Sequence, residues 1–321
     1  MRRLITGLAV ATTLVVAAAG CGSSDPSNGT AGNGGPADVT VGVIPIVDVA
    51  PIYLGKEKGF FSNRDIELTL ETGQGGAAIV PGVLSGQFQF GFSNATSLMV
   101  AQARNVPVKV VANGVASTGQ PGEDFGGIVV RGDSPIQSAK DLAGRKVAVN
   151  TLKNIGDTSV RESVRKAGGD PSTVQFVEIG FPQMPAALEA GQVDAAWVVE
   201  PSLAAVRAKG GRVIASNFVD VAPDLTVAVY FTSTKLIQEN PDLVNRFVEA
   251  MRESLAYADS HPDEVRNVIT TYTQIDAATV AALTLPKWPA DYNRDSLETL
   301  VKFGEQDGLF EGPVDLDKLL P

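Results

Sequence analysis

The sequence predicts an α/β fold in which mainly parallel sheets carry helices on both faces. The first observation is that β-rich and helical segments alternate from residue 39 to residue 233, which is the pattern of βαβ units. The second is that several segments return about 105 residues later in the same order. Because parallel strands need a crossover between them, the alternation predicts helices that cover both faces of each sheet.

The predicted strands are short, and some are nearly continuous apolar runs. "DAAWVV" at 194–199 is one such run, and it suits a strand buried on both faces. The predicted strands cover 39–45, 66–71, 88–94, 106–113, 126–132, 146–150, 174–180, 194–199, 212–216 and 226–233. Helices are predicted near 95–104, 159–168, 185–190, 201–209, 241–259, 262–271, 276–283 and 294–304.

A repeated pattern relates two parts of the alternating region. "VGVIP" at 41–45 matches "VAVNT" at 147–151, and the segment at 86–98 matches the one at 191–203. The match predicts two similarly built lobes; the alternative is that any two βα units look alike. If the lobes face each other, the loops at the carboxyl ends of their strands meet in one cleft, where open α/β sheets bind ligands.

Composition and charge exclude several classes of protein. A length of 321 residues favours two domains. Because the chain has a single cysteine, Cys21, a disulfide framework is excluded. Because it has a single histidine, His261, most kinds of histidine-based catalysis are disfavoured. The formal net charge of −10 argues against nucleic acid as a partner. No catalytic motif, metal-ligand pattern or phosphate loop is present, so we expect no catalytic residue, no metal and no cofactor.

The N-terminus has the pattern of a lipoprotein signal. Arg2 and Arg3 precede an apolar run, and small residues lead to Cys21. We expect a signal peptide at 1–20, lipidation of Cys21 and a flexible tether at 21–37, because that segment has no large apolar residue. The alternatives are a plain secretory signal with an incidental cysteine and a short membrane anchor, although the run is shorter than the ~18–20 residues that span a bilayer.

Candidate ligand-binding residues lie in the loops that follow the predicted strands. These loops lead into helix N-termini, which offer backbone N–H groups to an anion or a carbonyl group. In the first lobe the candidates are Pro45, Val47, Asp48, Gln74, Gly75, Gly76, Ser93 and Asn94. In the second lobe they are Thr151, Asn154, Gly180, Pro182 and Glu200.

Each of these candidates also has a structural interpretation. The glycines could form a simple tight turn, and Ser93 and Asn94 could cap the next helix. Glu200 could stabilise a helix N-terminus instead of binding a ligand. We also expect a capping box from Ser159 to Glu162 and prolines in first helical turns, at Pro81, Pro185 and Pro201.

The combined pattern resembles the substrate-binding lipoproteins of ABC importers, and it is most similar to the nitrate, sulfonate and taurine group, which includes thiamine-pyrimidine binders. The segments that carry the resemblance are 41–61, 84–99, 134–149 and 187–204. The resemblance implies a two-lobed periplasmic-binding-protein-like fold of type II, with crossover strands near 126–131 and 226–232. Lobe 1 would then comprise 38–127 and 229–321, and lobe 2 would comprise 128–228.

The resemblance also implies a function. We expect a monomeric receptor, lipid-anchored on the extracytoplasmic face of the cell membrane, that captures a small polar organic solute such as a sulfonate, nitrate or taurine and passes it to ABC permease subunits. The alternatives are a binder of a thiamine-precursor pyrimidine or another amine or aromatic solute, and a tethered sensor. A pyrimidine-synthesising enzyme is the least favoured, because one relative of this fold consumes its own histidine and His261 falls outside the candidate loops.

Overall fold

Residues 35–321 are described by a computed structural model. They form ten strands: β1 (Ala37–Val43), β2 (Ile66–Thr72), β3 (Phe90–Asn94), β4 (Val108–Ala116), β5 (Gly126–Val130), β6 (Lys146–Val149), β7 (Gln175–Glu178), β8 (Ala195–Val199), β9 (Arg212–Ala215) and β10 (Thr226–Ser233). The α-helices of the same residues are α1 (Ala50–Glu57), α2 (Gly76–Ser85), α3 (Ala95–Ala103), α4 (Ile155–Lys166), α5 (Met184–Glu189), α6 (Ser202–Ala208), α7 (Asn217–Val221), α8 (Thr234–Glu239), α9 (Pro241–Ser260), α10 (Pro262–Ile269), α11 (Ala277–Ala282), α12 (Arg294–Gln306) and α13 (Leu316–Leu319). The predicted signal peptide, Cys21 and nearly all of the predicted tether lie outside the described residues.

The strands form two five-stranded sheets with the same arrangement. The first sheet has the order β2-β1-β3-β10-β4, and the second has the order β7-β6-β8-β5-β9. In the first sheet β1 is parallel to β2 and β3, and in the second β6 is parallel to β7 and β8. The repeated sequence pattern therefore corresponds to a repeated strand order, in which β1, β2 and β3 are equivalent to β6, β7 and β8.

One strand in each sheet is antiparallel to both of its neighbours. β10 is antiparallel to β3 and β4, and β5 is antiparallel to β8 and β9. Both strands lie at the predicted crossover positions, directly after the chain has passed from one sheet to the other. The sheets are therefore mixed, with four strands in one direction and one in the other. The predicted lobe boundaries are close to the starts of β5 and β10, and they stay predictions.

The core is built on the central strand of each sheet. All five residues of β3 and all five of β8 are buried, as expected for strands covered on both faces. Phe90 of β3 stacks on Phe247 of α9, with ring centroids 3.8 Å apart. Asn240 caps α9 by accepting a hydrogen bond from the N–H of Leu243. None of the helices within 35–321 combines the length and apolar character that crossing a bilayer requires.

Two local predictions about helix starts are wrong. Ser159 does not begin α4; it lies inside the helix and donates to Ile155 O at 2.7 Å, because Asn154 provides the cap five residues earlier. Pro81 lies inside α2, which begins at Gly76, and Pro201 is the residue before α6. Pro185 is in the first turn of α5, as predicted.

Candidate functional site

The strand-end loops of the two sheets contact each other directly. The N–H of Val47, after β1, donates to Glu200 O, after β8, at 3.1 Å. The side-chain amide of Asn154 donates to Ser97 Oγ at 2.9 Å, which joins the N-terminal turns of α3 and α4. The cleft predicted between two facing sets of loops is therefore present, and its walls touch.

A small cavity lies between the two sheets. The space that the centre of a water molecule can occupy is about 20 Å³, which is room for about one water molecule. Both sheets contribute, and four of the side chains are aromatic. The lining residues are Ile44, Ile46, Asp48, Phe92, Asn94, Asn150, Ile155, Phe181, Trp197, Val199, Phe218, Val227 and Ala228.

Three polar atoms of this lining are buried without a hydrogen-bond partner among the described residues: Asp48 Oδ1, Asn150 Oδ1 and Trp197 Nε1. Buried polar groups are nearly always paired, and an unpaired one costs about 1–3 kcal/mol. Two of these atoms are acceptors from opposite sheets, and the third is a donor. Their convergence on one cavity is the arrangement expected of a polar binding site.

Asp48 is the charged group of the cavity. It lies in a 3-10 turn directly after β1, is 2 % exposed, and accepts at its main-chain oxygen from Trp288 Nε1 at 3.1 Å. Burial raises the pKa of the Asp48 carboxyl to about 7; a hydrogen bond from its own N–H lowers it, and the nearby Asp124 carboxylate raises it further. Asp48 therefore changes charge near neutral pH.

Asn94 and Asn154 cap the two helices that meet at the cleft. Asn94 Oδ1 accepts from the N–H of Ser97 at 2.9 Å, and Asn154 Oδ1 accepts from the N–H of Ile155 at 2.8 Å. Asn94 also lines the cavity, whereas Asn154 makes the contact with Ser97 across the cleft. Ser93, beside Asn94, is fully buried and donates to Asn94 O at 3.0 Å.

Glu200 follows β8 and is fully buried. Its Oε2 accepts from the N–H of Ala204 at 2.9 Å, and its Oε1 accepts from the N–H of Thr284 at 3.1 Å. Burial raises the pKa of this carboxyl to about 7, and the two backbone donors lower it. Glu200 is not among the residues that line the cavity, so its contact with a ligand stays a prediction, while its structural role at the start of α6 is observed.

The remaining candidates form the rim of the cleft. A Cβ atom on Gly75 would lie 2.9 Å from Thr151 Oγ1, so the two loops approach closely here because the residue is glycine. Gly180 lies beside the side chain of Gln74. Pro45, Gln74 and Pro182 line a neighbouring pocket, which shares Ile44, Ile46 and Phe181 with the cavity. Gly76 packs against Ser93.

Sequence reasoning missed several cavity residues. Asn150 ends the predicted strand at 146–150 and begins a candidate loop, but it is not among the candidate residues. Phe92, Phe181 and Phe218 resemble ordinary core residues in the sequence, so nothing distinguishes them there. His261 lies elsewhere: it ends α9 and stacks on Tyr257, with ring centroids 3.8 Å apart. Within 35–321, no group of three or more potential metal ligands comes together.

A family profile described as NMT1/THI5 like matches residues 46–265. The chain belongs to this family. A Bacillus subtilis (strain 168) protein assigned to the binding of aliphatic sulfonates is 25 % identical over 282 residues, which is 85 % of this chain and 80 % of that protein. The 4-amino-5-hydroxymethyl-2-methylpyrimidine phosphate synthase of Candida albicans (strain WO-1) is 23 % identical over 227 residues, or 67 % of this chain and 64 % of that enzyme. The NMT1/THI5-like family thus has both binding proteins and enzymes among the relatives of this chain.

Among solved structures, the alkanesulfonate-binding protein SsuA from Xanthomonas axonopodis pv. citri, bound to MOPS, has the same fold. Its TM-score is 0.75 at 15 % identity, with 89 % of this chain and 99 % of that chain covered. The likeness confirms the predicted two-lobed periplasmic-binding-protein-like fold.

Proposed function

We propose that this NMT1/THI5-like protein is an extracytoplasmic solute-binding receptor of an ABC importer, which holds one small polar organic solute between its two sheets and passes it to a membrane permease. The observation that carries the proposal is the cavity between the sheets, where Asp48, Asn150 and Trp197 direct polar atoms that have no partner within 35–321. The binding protein of Bacillus subtilis and the SsuA fold support the same function.

The lining chemistry favours binding over catalysis. The cavity offers one carboxylate, two amides and one indole N–H, surrounded by apolar and aromatic side chains. No nucleophile with an adjacent base is among these thirteen lining residues, and nucleophilic catalysis would need such a pair. A pyrimidine-synthesising reaction that consumes a histidine would need His261, which instead stacks on Tyr257 at the end of α9. We therefore propose that the protein binds its solute without changing it.

Solute entry requires the sheets to separate. A solute of several heavy atoms needs far more room than the about 20 Å³ of the closed cavity. The chain crosses between the sheets twice, and the crossovers lie side by side: the N–H of Ser117 donates to Leu225 O at 2.9 Å, and the N–H of Gly122 donates to Ser216 Oγ at 2.7 Å. We propose that these paired segments form the hinge on which the sheets open and close.

We also propose that Cys21 carries a lipid that holds the protein at the membrane. The support is the signal pattern before Cys21 and the small, polar segment after it. This anchor would keep the receptor close to its permease. A monomer is the oligomeric state that we propose.

The function is tested by calorimetry and thermal melts with a broad panel of small sulfonates, amines and heterocycles. A solute that binds between the sheets should raise the melting temperature of the wild-type protein, since a ligand of the native state stabilises it. Asn150→Ala should then weaken binding about 5- to 150-fold, from the loss of a buried hydrogen bond worth about 1–3 kcal/mol. Asn63→Ala, which removes an exposed amide that does not line the cavity, is the matched control.

Two outcomes would contradict the function. In the first, no member of the panel stabilises the folded protein. In the second, a solute binds Asn150→Ala as tightly as the wild type and Asn63→Ala proteins while all three melt normally, which would place its site outside the cavity.

A further inference from the structure

We propose that the solute is an organic cation: an ammonium group attached to a flat apolar body, with its N–H donors on Asp48 and Asn150. The inference rests on the proposed function, because it assigns the ligand class of the same cavity. It separates this chain from the sulfonate binders that it resembles in sequence and fold.

The polar atoms without partners favour a donor-rich ligand. Asp48 and Asn150 line the cavity from opposite sheets, and the Oδ1 atom of each is a buried acceptor without a donor within the described part of the chain. An ammonium group carries three N–H donors and can satisfy both atoms at once. A bond to each sheet would also favour the closed arrangement, because only that arrangement brings the two acceptors together.

The charges around the cavity disfavour an anion. None of the thirteen lining residues is Lys or Arg. The titratable groups that interact electrostatically with Asp48 are acidic or phenolic: Asp124 raises its pKa, and Asp48 raises the pKa values of Tyr230 and Tyr272. A sulfonate would therefore be placed beside a carboxylate without a compensating cation, whereas an ammonium would supply the missing positive charge.

At two helix N-termini of the cleft, one backbone donor is already bonded to a side chain of this chain. Helix N-termini bind anions through free N–H groups. At α3 the N–H of Ser97 is already bonded to Asn94 Oδ1, and at α4 the N–H of Ile155 is bonded to Asn154 Oδ1. The start of α2 has no side-chain cap, but Gly75 and Gly76 are not part of the cavity lining.

The aromatic side chains suit a flat cation. Phe181 and Trp197 meet edge to face at 5.3 Å between ring centroids, and Trp197 meets Phe218 in the same way at 5.8 Å. Aromatic faces attract cations, and they do so more strongly where water is excluded. Ile46 and Phe181 also line a larger outer groove with Pro182, Tyr272 and others, and an apolar body can extend into it.

The test uses two probes that share a body and differ in charge. Benzylamine is a monocation at neutral pH, and phenylmethanesulfonate carries the same benzyl group on an anionic head. Calorimetry at about pH 8, where Asp48 is ionised, should show benzylamine binding more tightly than phenylmethanesulfonate by at least about tenfold. Asp48→Asn should reduce or reverse that preference. Asp38→Asn, which changes an exposed carboxylate, should leave it unchanged.

A second variant keeps the test decisive if Asp48→Asn folds poorly. Asn150→Asp adds a second carboxylate to the cavity, so it should tighten benzylamine and weaken phenylmethanesulfonate further. If the sulfonate binds the wild type more tightly than the amine and Asp48→Asn tightens it again, the cation inference is wrong and the receptor function stands. If neither probe binds at millimolar concentration, the inference is also wrong, and the broad solute panel decides separately on the receptor function.

Discussion

Asp48 links the stability of the ligand-free protein to pH. Its folded pKa is about 7 against an ordinary value of 3.8, so the folded state holds this proton more tightly than the unfolded state. The free energy of unfolding therefore falls as pH rises from about 4 to about 7, and the loss is complete above that range. A shift of this size corresponds to at most about 4 kcal/mol.

Replacing this acid should stabilise the protein at alkaline pH. Asp48→Asn removes the buried charge, so at about pH 8 its free energy of unfolding in urea should exceed that of the wild type by about 1–4 kcal/mol, and the gain should shrink toward pH 4. Asp38→Asn, on the surface, should show no such pH-dependent gain. A gain that is equal at both pH values would mean that Asp48 titrates normally.

At the residue scale, the sequence located the loops better than it assigned the side chains. All of the cavity's polar side chains lie in or beside the predicted strand ends, and Asp48 and Asn94 are among the predicted residues. A helix cap and a ligand contact need the same residue types, so Asn154 and Glu200 could not be distinguished from binding residues before their partners were known. Asn150 was not among the candidate residues for a related reason: an amide side chain at a strand end can cap a helix, bond to a backbone group or bind a ligand, and the sequence does not distinguish these roles.

At the scale of elements, α2 can approach β3 closely because residue 76 is a glycine and has no side chain. A Cβ atom on Gly76 would lie 1.9 Å from Ser93 Oγ and 2.7 Å from Ser93 Cβ. Gly76→Ala should therefore force the start of α2 away from β3 and lower the free energy of unfolding by about 1–3 kcal/mol, measured in urea. Adding Ser93→Gly removes the two nearest atoms and should restore part of the loss.

The matched control is Gly35→Ala, because nothing lies within 4 Å of its added Cβ atom. An unchanged stability of Gly76→Ala would show that the observed approach of α2 to β3 is not present in solution.

Asn154 caps α4 and also contacts Ser97 across the cleft, and the effect of this contact on solute binding can be measured separately from the effect of the cap on stability. Asn154→Ala and Asn293→Ala each remove a helix cap, and each should lower the free energy of unfolding by about 1 kcal/mol. Only Asn154 also contacts Ser97 across the cleft. Calorimetry with a bound solute should therefore show a weaker affinity for the Asn154→Ala protein and an unchanged affinity for the Asn293→Ala protein. If the two variants bind the solute equally well, the contact of Asn154 with Ser97 does not stabilise the closed arrangement.

The long or strongly patterned elements were predictable. β10 and α9 agree with their predicted ranges to within a residue, because a β-rich run and an amphipathic stretch with a leading Asn-Pro are strong signals. α7 and α8 were missed, since five or six residues do not establish a helical period. The start of α4 was misplaced because Ser-x-x-Glu suggested a capping box where Asn154 supplies the cap.

At the scale of the whole molecule, the repeat in the sequence predicted two equivalent sheets, and their strand orders agree. The resemblance predicted the crossovers near β5 and β10, but the sequence could not show that these two strands are antiparallel to their neighbours, since strand direction depends on tertiary contacts. Nor could it show that the walls of the cleft touch through Val47 and Glu200.

The proposed membrane attachment would depend on one residue. Cys21→Ala should release the protein into the soluble fraction or leave it unprocessed, because a lipid at Cys21 is the proposed anchor. Fractionation of cells followed by immunoblotting measures this, with Ser23→Ala as the control. Wild-type levels of processed Cys21→Ala protein in the membrane fraction would contradict the anchor.

The measurement that tests solute capture between the sheets most directly is the distance across the cleft. Spin labels on Ala77→Cys and Leu152→Cys, in a full chain that also carries Cys21→Ser, would report it by double electron–electron resonance. Both positions are exposed, and they flank the close approach of Gly75 to Thr151. Without solute we expect a broad distribution extending to long distances; a saturating solute identified by calorimetry should narrow it to the short distance of this closed structure. A saturating solute that leaves the distribution unchanged would contradict capture between the two sheets.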